Sequence, residues 1–307
     1  MKIFVAGASG AIGQPLIAEL IRQGHTVTGM TRSDAGVEKL KKLGAAVARV
    51  SAFDVPALED ALQLSSPEVV IDELTALPQH PSEMAEAAPG DRKLRLEGGG
   101  NLLRLAQAFG VRRYIQQSTG FFIRAGKGLA DESEPLAVDA SPGVARAAQT
   151  YTELESRLLN ASGIEGVALR YGFFYGPNTW YHPDGASADQ ARKQEIPVIG
   201  TGEGVWSWIH IDDAAHATAA ALTCPPGVYN IVDDDPSPMH IWLPAFARFV
   251  GAPAPPHVTE DQARASVGED PIYYQMKLRG ASNKKAKQIL NFKPRPLEWL
   301  SASRQNG

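Results

Sequence analysis

Short apolar runs alternate with longer stretches of helical spacing along the first half of the chain. The apolar runs cover residues 2–6, 26–31, 46–50, 68–72, 112–117 and 166–170. Because they lack the polar–apolar alternation of a half-exposed strand, they predict strands that are covered on both faces. The stretches between them predict helices over residues 11–23, 35–43, 56–64, 92–109 and 144–161. This order is typical of the α/β class and indicates a doubly wound parallel sheet with right-handed crossovers.

The regular alternation ends near residue 170, where proline and glycine become frequent and the segments shorten. The remaining pattern predicts strands over 205–211 and 228–232, and helices over 214–222, 240–250 and 283–290. We therefore expect a sheet domain over residues 1–175, which also receives later segments from about 205–232. Residues 176–307 are expected to form mainly a small α/β cap on the substrate side of that domain.

Composition excludes several classes of protein. The 307 residues include 44% hydrophobic and 21% charged side chains, which is typical of a globular chain. A formal net charge of −4 argues against a nucleic-acid binder, and no apolar run approaches the ~20 residues that span a membrane. The lone cysteine, Cys224, excludes an internal disulfide framework and a cysteine-rich zinc site. We expect a cytoplasmic protein without a metal centre, in which this thiol is inert.

A glycine triplet follows the first predicted strand and precedes the first predicted helix. Gly7, Gly10 and Gly13 stand at the spacing Gly-x-x-Gly-x-x-Gly. In a dinucleotide-binding turn the first glycine permits the tight turn, the second admits the pyrophosphate, and the third lets the helix pack closely on the sheet. The helix N-terminus then presents N–H groups and a positive dipole to the phosphates. The other residues of this predicted phosphate site are Ser9, Ala11 and Ile12.

The end of the second predicted strand indicates which dinucleotide binds. Arg32 stands there, where an NAD-specific site usually places an acidic residue that bonds the ribose hydroxyls. A guanidinium at this position suits the 2′-phosphate of NADPH instead. The sequence therefore favours NADP(H) over NAD(H). The alternative interpretations of Arg32 are a capping partner of the second predicted helix and a solvent-exposed surface arginine.

Further blocks of sequence carry a resemblance to a known family. They read VAGASGAIG (5–13), NLL (101–103), GVRR (110–113), QST (117–119), LRYGFFYGP (169–177) and WIHIDDA (208–214). In this order the chain resembles the extended and atypical short-chain dehydrogenase/reductases, the NAD-dependent epimerase/dehydratase family. The resemblance implies that residues 1–175 form an NAD(P)-binding Rossmann domain. It also implies a small-molecule substrate and pairing into a homodimer through the helices at 92–109 and 144–161.

The resemblance assigns cofactor contacts to matching positions. Asp54 corresponds to the acid that contacts adenine, and Leu74 and Thr75 correspond to the end of the fourth strand that lines the cofactor. Gln117 corresponds to the residue beside the nicotinamide. The loop that covers the nicotinamide ring in the family matches Tyr171 and Phe173. His210, in contrast, is expected to be a buried hydrogen-bonding residue at the junction between cap and core.

The catalytic residues of the family do not all have counterparts. The usual pattern is Tyr-x-x-x-Lys, in which the lysine's positive charge lowers the tyrosine pKa. Here Tyr151 is followed four residues later by Glu155. In a second alignment the tyrosine position falls on Ala147 and the lysine position on Tyr151. Either way the standard pair is absent, which leaves the hydroxyl groups of Ser118, Thr119 and Tyr151 as candidates to bond or protonate a substrate oxygen.

Some of the aromatic residues around the expected pocket suit an apolar or aromatic substrate, and at least half of them are expected to form the core between sheet and cap instead: Phe121, Phe122, Phe173, Phe174, Trp180, Tyr181, Trp206 and Trp208. The leading hypothesis is an NADPH-dependent oxidoreductase that moves a hydride to or from a small carbonyl or alcohol. A non-catalytic NADP(H)-sensing module is the alternative, because the catalytic pair is missing. An epimerase or dehydratase that acts on a sugar-like substrate is the third hypothesis.

Overall fold

A central parallel sheet organises the chain in the computed structural model, which describes residues 1–305 and side chains as far as residue 302. The strands, in chain order, are β1 (Lys2–Ala6), β2 (Thr26–Thr31), β3 (Ala46–Arg49), β4 (Val69–Asp72), β5 (Arg113–Thr119), β6 (Glu165–Tyr171), β7 (Phe173–Tyr175), β8 (Val198–Ile199), β9 (Val205–Trp206), β10 (Trp208–His210), β11 (Gly227–Ile231), β12 (Ser237–Pro238) and β13 (His257–Val258).

Seven of these strands form the sheet in the order β11, β6, β5, β4, β1, β2, β3, and every neighbouring pair is parallel. The strand order changes direction between β1 and β4. In an open parallel sheet, ligands bind outside the carboxyl ends of the strands at this switch point. The predicted doubly wound Rossmann sheet is thus confirmed, and the glycine loop after β1 lies where a nucleotide is expected.

Helices connect the strands. They are α1 (Gly13–Arg22), α2 (Asp34–Lys42), α3 (Val55–Ser65), α4 (Met84–Lys93), α5 (Gly99–Ala108), α6 (Pro142–Leu159), α7 (Ala186–Arg192), α8 (Ile211–Ala220), α9 (Met239–Phe249), α10 (Glu260–Val267), α11 (Glu269–Met276), α12 (Lys284–Leu290) and α13 (Glu298–Gln305). A 3₁₀ turn, Pro81–Glu83, precedes α4, and a π-helical segment, Leu94–Gly98, joins α4 to α5. Within residues 1–305 no helix has the length and apolar content to cross a membrane.

Both faces of the sheet are covered, as its continuously apolar strands require. Alternate side chains of β1 divide between the faces. Ile3 and Val5 join the core that contains α1 and α8, while Phe4 and Ala6 join the core that contains α3 and α5. Burial of each large apolar side chain stabilises the fold by about 1.5–3 kcal/mol. The helix layers hold the strand ends, and the loops that follow them, in fixed positions.

A third, aromatic core lies among the segments that follow β6. Trp208 packs edge-on against Trp242 and Trp299, with ring centroids 4.8 Å and 4.9 Å apart. The pairs β7–β10, β9–β12 and β8–β13 are small separate sheets in this part of the chain. Edge-to-face contacts of this kind add about 0.5–1.5 kcal/mol each to the free energy of burial.

Two elements differ from the sequence prediction. The single strand expected over 205–211 is divided at Ser207 into β9 and β10, and neither joins the central sheet. Of the later segments only β11 does, at the edge beside β6. The helix expected over 92–109 begins earlier, at Met84, and contains the π-helical segment. Proline at position 89 and the glycines at 98–100 obscured this long helical region, because both residue types disfavour helices.

Candidate functional site

The glycine loop lies in tight contact with its surroundings at two positions. Gly7 has a φ of +76°, and a Cβ atom there would lie 2.3 Å from the carbonyl oxygen of Glu73. A Cβ atom at Gly13 would lie 2.4 Å from the carbonyl oxygen of Ala8. The Gly10 amide donates a 3.0 Å hydrogen bond to the Gly7 carbonyl, which closes the turn. Only glycine permits this backbone path, which brings the start of α1 to the switch point of the sheet.

The loop is linked to the end of β2 by hydroxyl groups. Ser9 Oγ and Thr31 Oγ1 lie 3.1 Å apart, and Ser33 caps α2 by accepting from the Gly36 amide at 3.0 Å. Arg32, between them, is exposed. Within residues 1–305 no hydrogen bond or ion pair engages its guanidinium, whereas the neighbouring Asp34 is paired with Arg49 at 2.9 Å. Arg32 is therefore free to bind an anion at this strand end.

The residues predicted to contact adenine and to line the cofactor follow β3 and β4. Asp54 is exposed and caps α3, since its Oδ1 accepts from the Ala57 amide at 3.2 Å. At the end of β4 the buried Asp72 accepts from the Leu74 amide at 3.1 Å and from the Tyr114 hydroxyl at 2.7 Å. Burial raises the pKa of Asp72. These bonds fix the backbone of Leu74 and its half-buried neighbour Thr75 at the carboxyl edge.

A second buried carboxyl lies directly under the glycine loop. The Tyr171 hydroxyl donates to Glu73 Oε1 at 2.9 Å and shares a 2.6 Å hydrogen bond with Thr218. Burial raises the pKa of Glu73 to about 8. The Tyr171 side chain is therefore committed to the core between the sheet and α8. The assignment of Tyr171 and Phe173 to the loop that covers the nicotinamide stays a prediction.

Ser118 is also committed within the fold. It is buried on β5 and donates a 2.5 Å hydrogen bond to Glu155 of α6. Glu155 forms a two-pronged ion pair with Arg170 of β6, at 2.8 Å and 2.7 Å. A serine hydroxyl has one hydrogen to donate, so Ser118 cannot donate to a substrate oxygen while this bond exists. Thr119, which is 1% exposed, accepts a weak 3.4 Å bond from the Phe121 amide and retains its hydroxyl hydrogen.

The third hydroxyl candidate, Tyr151, lies on α6. The guanidinium carbon of Arg95, in the π-helical segment, is 5.1 Å from the centre of its ring. The Phe122 ring is 6.3 Å away. Burial raises the pKa of Tyr151 above its usual value, and the positive charge of Arg95 offsets part of that rise. No residue of the described chain forms a hydrogen bond with the Tyr151 hydroxyl, so this group is available to a ligand.

Arg95 also connects Tyr151 to the predicted cofactor residues. A small cavity is lined by Asp72, Leu74, Arg95, Gln116, Gln117 and Leu154. Gln117 Oε1 is buried at this point without a hydrogen-bond partner among residues 1–305. A buried amide oxygen of this kind normally has a partner. The cavity is of the size of one water molecule, which would supply that partner, so the fit of a pyridine dinucleotide rests on the glycine cradle at the switch point of the sheet.

Several of the predicted aromatic residues pack against one another. Phe173 is stacked between Phe121 and Trp206, with centroid distances of 4.1 Å and 4.0 Å and an interplanar angle of 21° in each pair. Tyr181 and Trp208 lie 4.8 Å apart in the aromatic core formed by the segments that follow β6, and the buried Trp206 belongs to the same core. Phe121 and Phe173 are the half-buried rings of the stack.

His210 has the structural role expected from the sequence. Its Nδ1 accepts from the Asp212 amide at 3.1 Å, and its Nε2 lies 3.3 Å from an Arg295 nitrogen. Burial lowers the pKa of His210, so it remains neutral at physiological pH. Arg295 is held in turn by Asp213, which accepts from the Arg295 backbone at 2.8 Å. These contacts join the C-terminal segment to α8.

Three functional candidates were not identified from the sequence: Glu73, Asp91 and Arg95. Glu73 directly follows the apolar strand β4, which is a weak signal of a special environment. Asp91 and Arg95 stand four residues apart, a spacing that usually predicts an exposed helical ion pair. Here the pair is buried, because the π-helical segment turns Arg95 inward. Single π-helical turns are frequently found at functional sites.

A glycine loop at the switch point of a parallel sheet, with a polar cleft beside it, defines the class of Rossmann-fold dinucleotide-binding proteins. The sequence profile of the NAD dependent epimerase/dehydratase family matches residues 3–231. The chain belongs to this family, as its sequence blocks indicated.

The chain is similar along most of its length to several individual proteins. Over 302 residues the chain is 36% identical to a 3-diazoavenalumate denitrifying reductase from a Streptomyces species, an alignment that covers 97% of this chain and 98% of that protein. It is 25% identical over 271 residues to 2-alkyl-3-oxoalkanoate reductase from Stenotrophomonas maltophilia, covering 82% and 77% respectively. The fold is similar to UDP-glucose 4-epimerase from Thermus thermophilus in complex with NAD, with a TM-score of 0.73, 24% identity and coverage of 96% and 94%. The chain is an NAD(P)-dependent oxidoreductase.

Proposed function

We propose that the protein is an NADPH-dependent reductase that transfers hydride to a small apolar or aromatic acceptor. One arrangement carries the proposal: Arg95 lines the same small cavity as Gln117 and also lies against the Tyr151 ring, which is 6.3 Å from the Phe122 ring. Arg95 therefore connects the residue that the resemblance assigns to the nicotinamide with a free phenol. The cofactor, when bound, supplies the hydride, and residues of the chain orient the acceptor and donate a proton to it.

The preference for NADPH rests on Arg32. Its guanidinium is exposed and unpaired within the described chain, and it adjoins the Ser9–Thr31 contact at the glycine loop. Charge-assisted bonds between arginine and phosphate are among the stronger hydrogen bonds in proteins. NADPH presents a 2′-phosphate to this strand end, and NADH presents only hydroxyl groups.

The preference for an apolar or aromatic acceptor rests on Phe121, the half-buried end of a stack in which Phe173 is covered by Phe121 and Trp206. An accessible aromatic ring packs favourably against another flat ring in an offset-stacked or edge-to-face arrangement. The two named relatives are both reductases, one of a diazo compound and one of a 3-oxoalkanoate. Both descriptions support reduction as the direction of the reaction.

Loss of NADPH absorbance tests the proposal over a panel of aromatic ketones, aromatic aldehydes, 3-oxo acids and aliphatic ketones. We expect turnover with NADPH and at least one aromatic acceptor, and slower turnover with NADH. Tight NADPH binding without turnover of any acceptor would instead support a non-catalytic NADP(H)-sensing module.

Reduction of an aryl diazo group is a second candidate function. The 36% identity to a denitrifying reductase over nearly the whole chain favours it, as does the absence of the family's Tyr-x-x-x-Lys pattern. A diazonium ion already carries positive charge, so its terminal nitrogen accepts hydride without a proton from the enzyme. The C–N bond then breaks, the hydrogen moves to the ring carbon, and N₂ leaves.

The variant Tyr151→Phe separates the two functions. A carbonyl oxygen needs a proton as hydride arrives, so ketone reduction should fall at least about 100-fold without a general acid. Reduction of an aryl diazonium salt should change little. Equal losses for both acceptors would show that Tyr151 binds substrate or cofactor instead of donating a proton.

A further inference from the structure

A buried arginine lies where the cleft lacks the lysine expected from the family. Arg95 is 5% exposed, and its guanidinium lies against the face of the Tyr151 ring. We propose that Arg95 supplies, from the π-helical segment, the positive charge that a lysine on α6 would otherwise supply to Tyr151. This inference rests on the proposed carbonyl reduction and names the group that prepares its proton donor.

The backbone around Arg95 is held by specific contacts. Its Nε donates to Asp91 at 2.6 Å, and the other carboxylate oxygen of Asp91 accepts from the Ala76 amide at 2.7 Å. Arg157 of α6 donates to the Leu96 carbonyl at 2.7 Å and to the Arg95 carbonyl at 3.4 Å. A π-helical turn leaves carbonyl groups without their usual helical partners. Because Arg157 bonds two of them, the turn that points Arg95 inward is stabilised by the same helix that carries Tyr151.

The charges around Tyr151 come from three elements. Arg95 and Asp91 face it from α4 and the π-helical segment, and Tyr274 faces it from α11. Glu155, one helical turn after Tyr151, is neutralised by Arg170. Burial disfavours the charge on Arg95, yet Tyr151 and Asp91 keep its pKa above the usual value, so Arg95 remains a cation. The carboxylate in the lysine position therefore does not cancel the effect of Arg95 on the phenol.

The chemistry of the step balances with the proposed reductant. When hydride reaches the carbonyl carbon, the carbonyl electron pair moves to oxygen, and this oxygen takes the hydroxyl proton of Tyr151; NADPH would supply the hydride when bound. The phenolate that remains is stabilised by Arg95 until it regains a proton from solvent. Arg95 is thus a positioning and electrostatic residue, because it acts through Tyr151 and does not touch the acceptor.

Ionisation of the Tyr151 phenol tests this role without requiring turnover. Tyrosinate absorbance is titrated in each variant and in its Tyr151→Phe counterpart, and the difference between the two reports this phenol alone. Arg95→Met should raise its pKa by about 1–2 pH units, since an opposite charge at this distance favours the charged form. Arg95→Lys should restore most of the shift. Asp91→Asn should lower the pKa, because it removes the opposing negative charge.

Arg104→Met is the matched control, since Arg104 is an exposed arginine on α5. It should leave the Tyr151 titration unchanged. In the same variants, kcat for an aromatic ketone should fall about 10–100-fold in Arg95→Met and recover in Arg95→Lys. Thermal unfolding identifies any variant that fails to fold. If Arg95→Met does not fold, Asp91→Asn provides the test, because it should shift the Tyr151 pKa in the opposite direction.

Different results would overturn the role of Arg95 and the proposed reductase function. A wild-type protein that oxidises NADPH with ketones, but whose Tyr151 titration is the same in Arg95→Met and Asp91→Asn, would overturn the role of Arg95. A wild-type protein that reduces no acceptor, but whose Tyr151 titration follows Arg95 and Asp91, would retain this electrostatic pairing and reject the proposed function.

Discussion

Ser118 of β5 and Arg170 of β6 are register partners in the sheet, and both side chains end on the carboxylate of Glu155. Strand β5, strand β6 and helix α6 are therefore joined by one buried polar cluster. The cluster lies beneath the segment of α6 that carries Tyr151. Its main effect is to fix that helix on the sheet.

This geometry predicts that Ser118→Ala acts mainly on stability. Loss of one buried hydrogen bond to a charged group should lower the free energy of unfolding by about 1.5–3 kcal/mol, measured by urea denaturation. Glu155→Leu should cost more, about 3–5 kcal/mol, because it leaves the Arg170 charge buried without a partner. If Ser118→Ala kept full stability but lost turnover, Ser118 would instead be a catalytic hydroxyl.

The cofactor preference yields a separate prediction at Arg32. Arg32→Ala should weaken NADPH binding about 10–100-fold, which corresponds to one charge-assisted contact with phosphate. NADH binding should change less than about twofold, since the ribose hydroxyl offers no charge to lose. Isothermal titration calorimetry measures both dissociation constants.

Arg49→Ala is the control for Arg32, because Arg49 lies on the neighbouring strand and is occupied by Asp34. It should leave both affinities nearly unchanged. Parallel losses of NADPH and NADH affinity in Arg32→Ala would show that this side chain supports the adenosine part common to both cofactors.

The sheet could be predicted from sequence because its signals are local. Continuous apolar strands and the glycine loop each depend on neighbouring residues, and the predicted strands at 2–6 and 26–31 match β1 and β2. The division of 205–211 could not be predicted in the same way. Ser207 is 1% exposed, and its hydroxyl accepts from the distant Ala281 amide at 2.8 Å, a contact that no local pattern reveals.

The polar residues of the cleft were harder to predict for a related reason. The Ser118 hydroxyl, near the end of β5, is a predicted substrate contact, but it is directed to Glu155, a partner 37 residues away in sequence. Arg95 follows a helical pattern typical of surface residues, and only the π-helical turn buries it. Side-chain direction at these positions depends on tertiary contacts, which a single sequence does not contain.

The buried carboxyl of Glu73 predicts a distinctive dependence of stability on pH. Its pKa of about 8 lies above the unfolded value of 4.5, so the folded protein binds more protons between these limits. The contribution of Glu73 to stability is present below pH 4.5 and is lost as pH rises through about 8. Glu73→Gln should remove this loss, of the order of 2–4 kcal/mol, in urea denaturation measured from mildly acidic to alkaline pH.

Thr218→Val provides the control for that experiment. It removes a hydrogen-bond partner of Tyr171 but no ionisable group, so it should lower stability and leave the pH dependence as in wild type. An identical pH dependence in Glu73→Gln and wild type would show that Glu73 is ionised in the folded protein.

Phe173 permits a direct test of acceptor recognition, because its ring is stacked between Phe121 and Trp206. Phe173→Leu keeps an apolar side chain but removes the ring that holds the half-buried Phe121 in place, and a stacked aromatic contact contributes about 0.5–1.5 kcal/mol. KM for an aromatic acceptor should therefore rise about 3–10-fold, while KM for an aliphatic acceptor of similar size should not change. Phe109→Leu, at an exposed ring at the end of α5, should alter neither value. If Phe173→Leu instead weakened NADPH binding and left both KM values intact, Phe173 would belong to the loop that covers the nicotinamide, as the sequence resemblance implied.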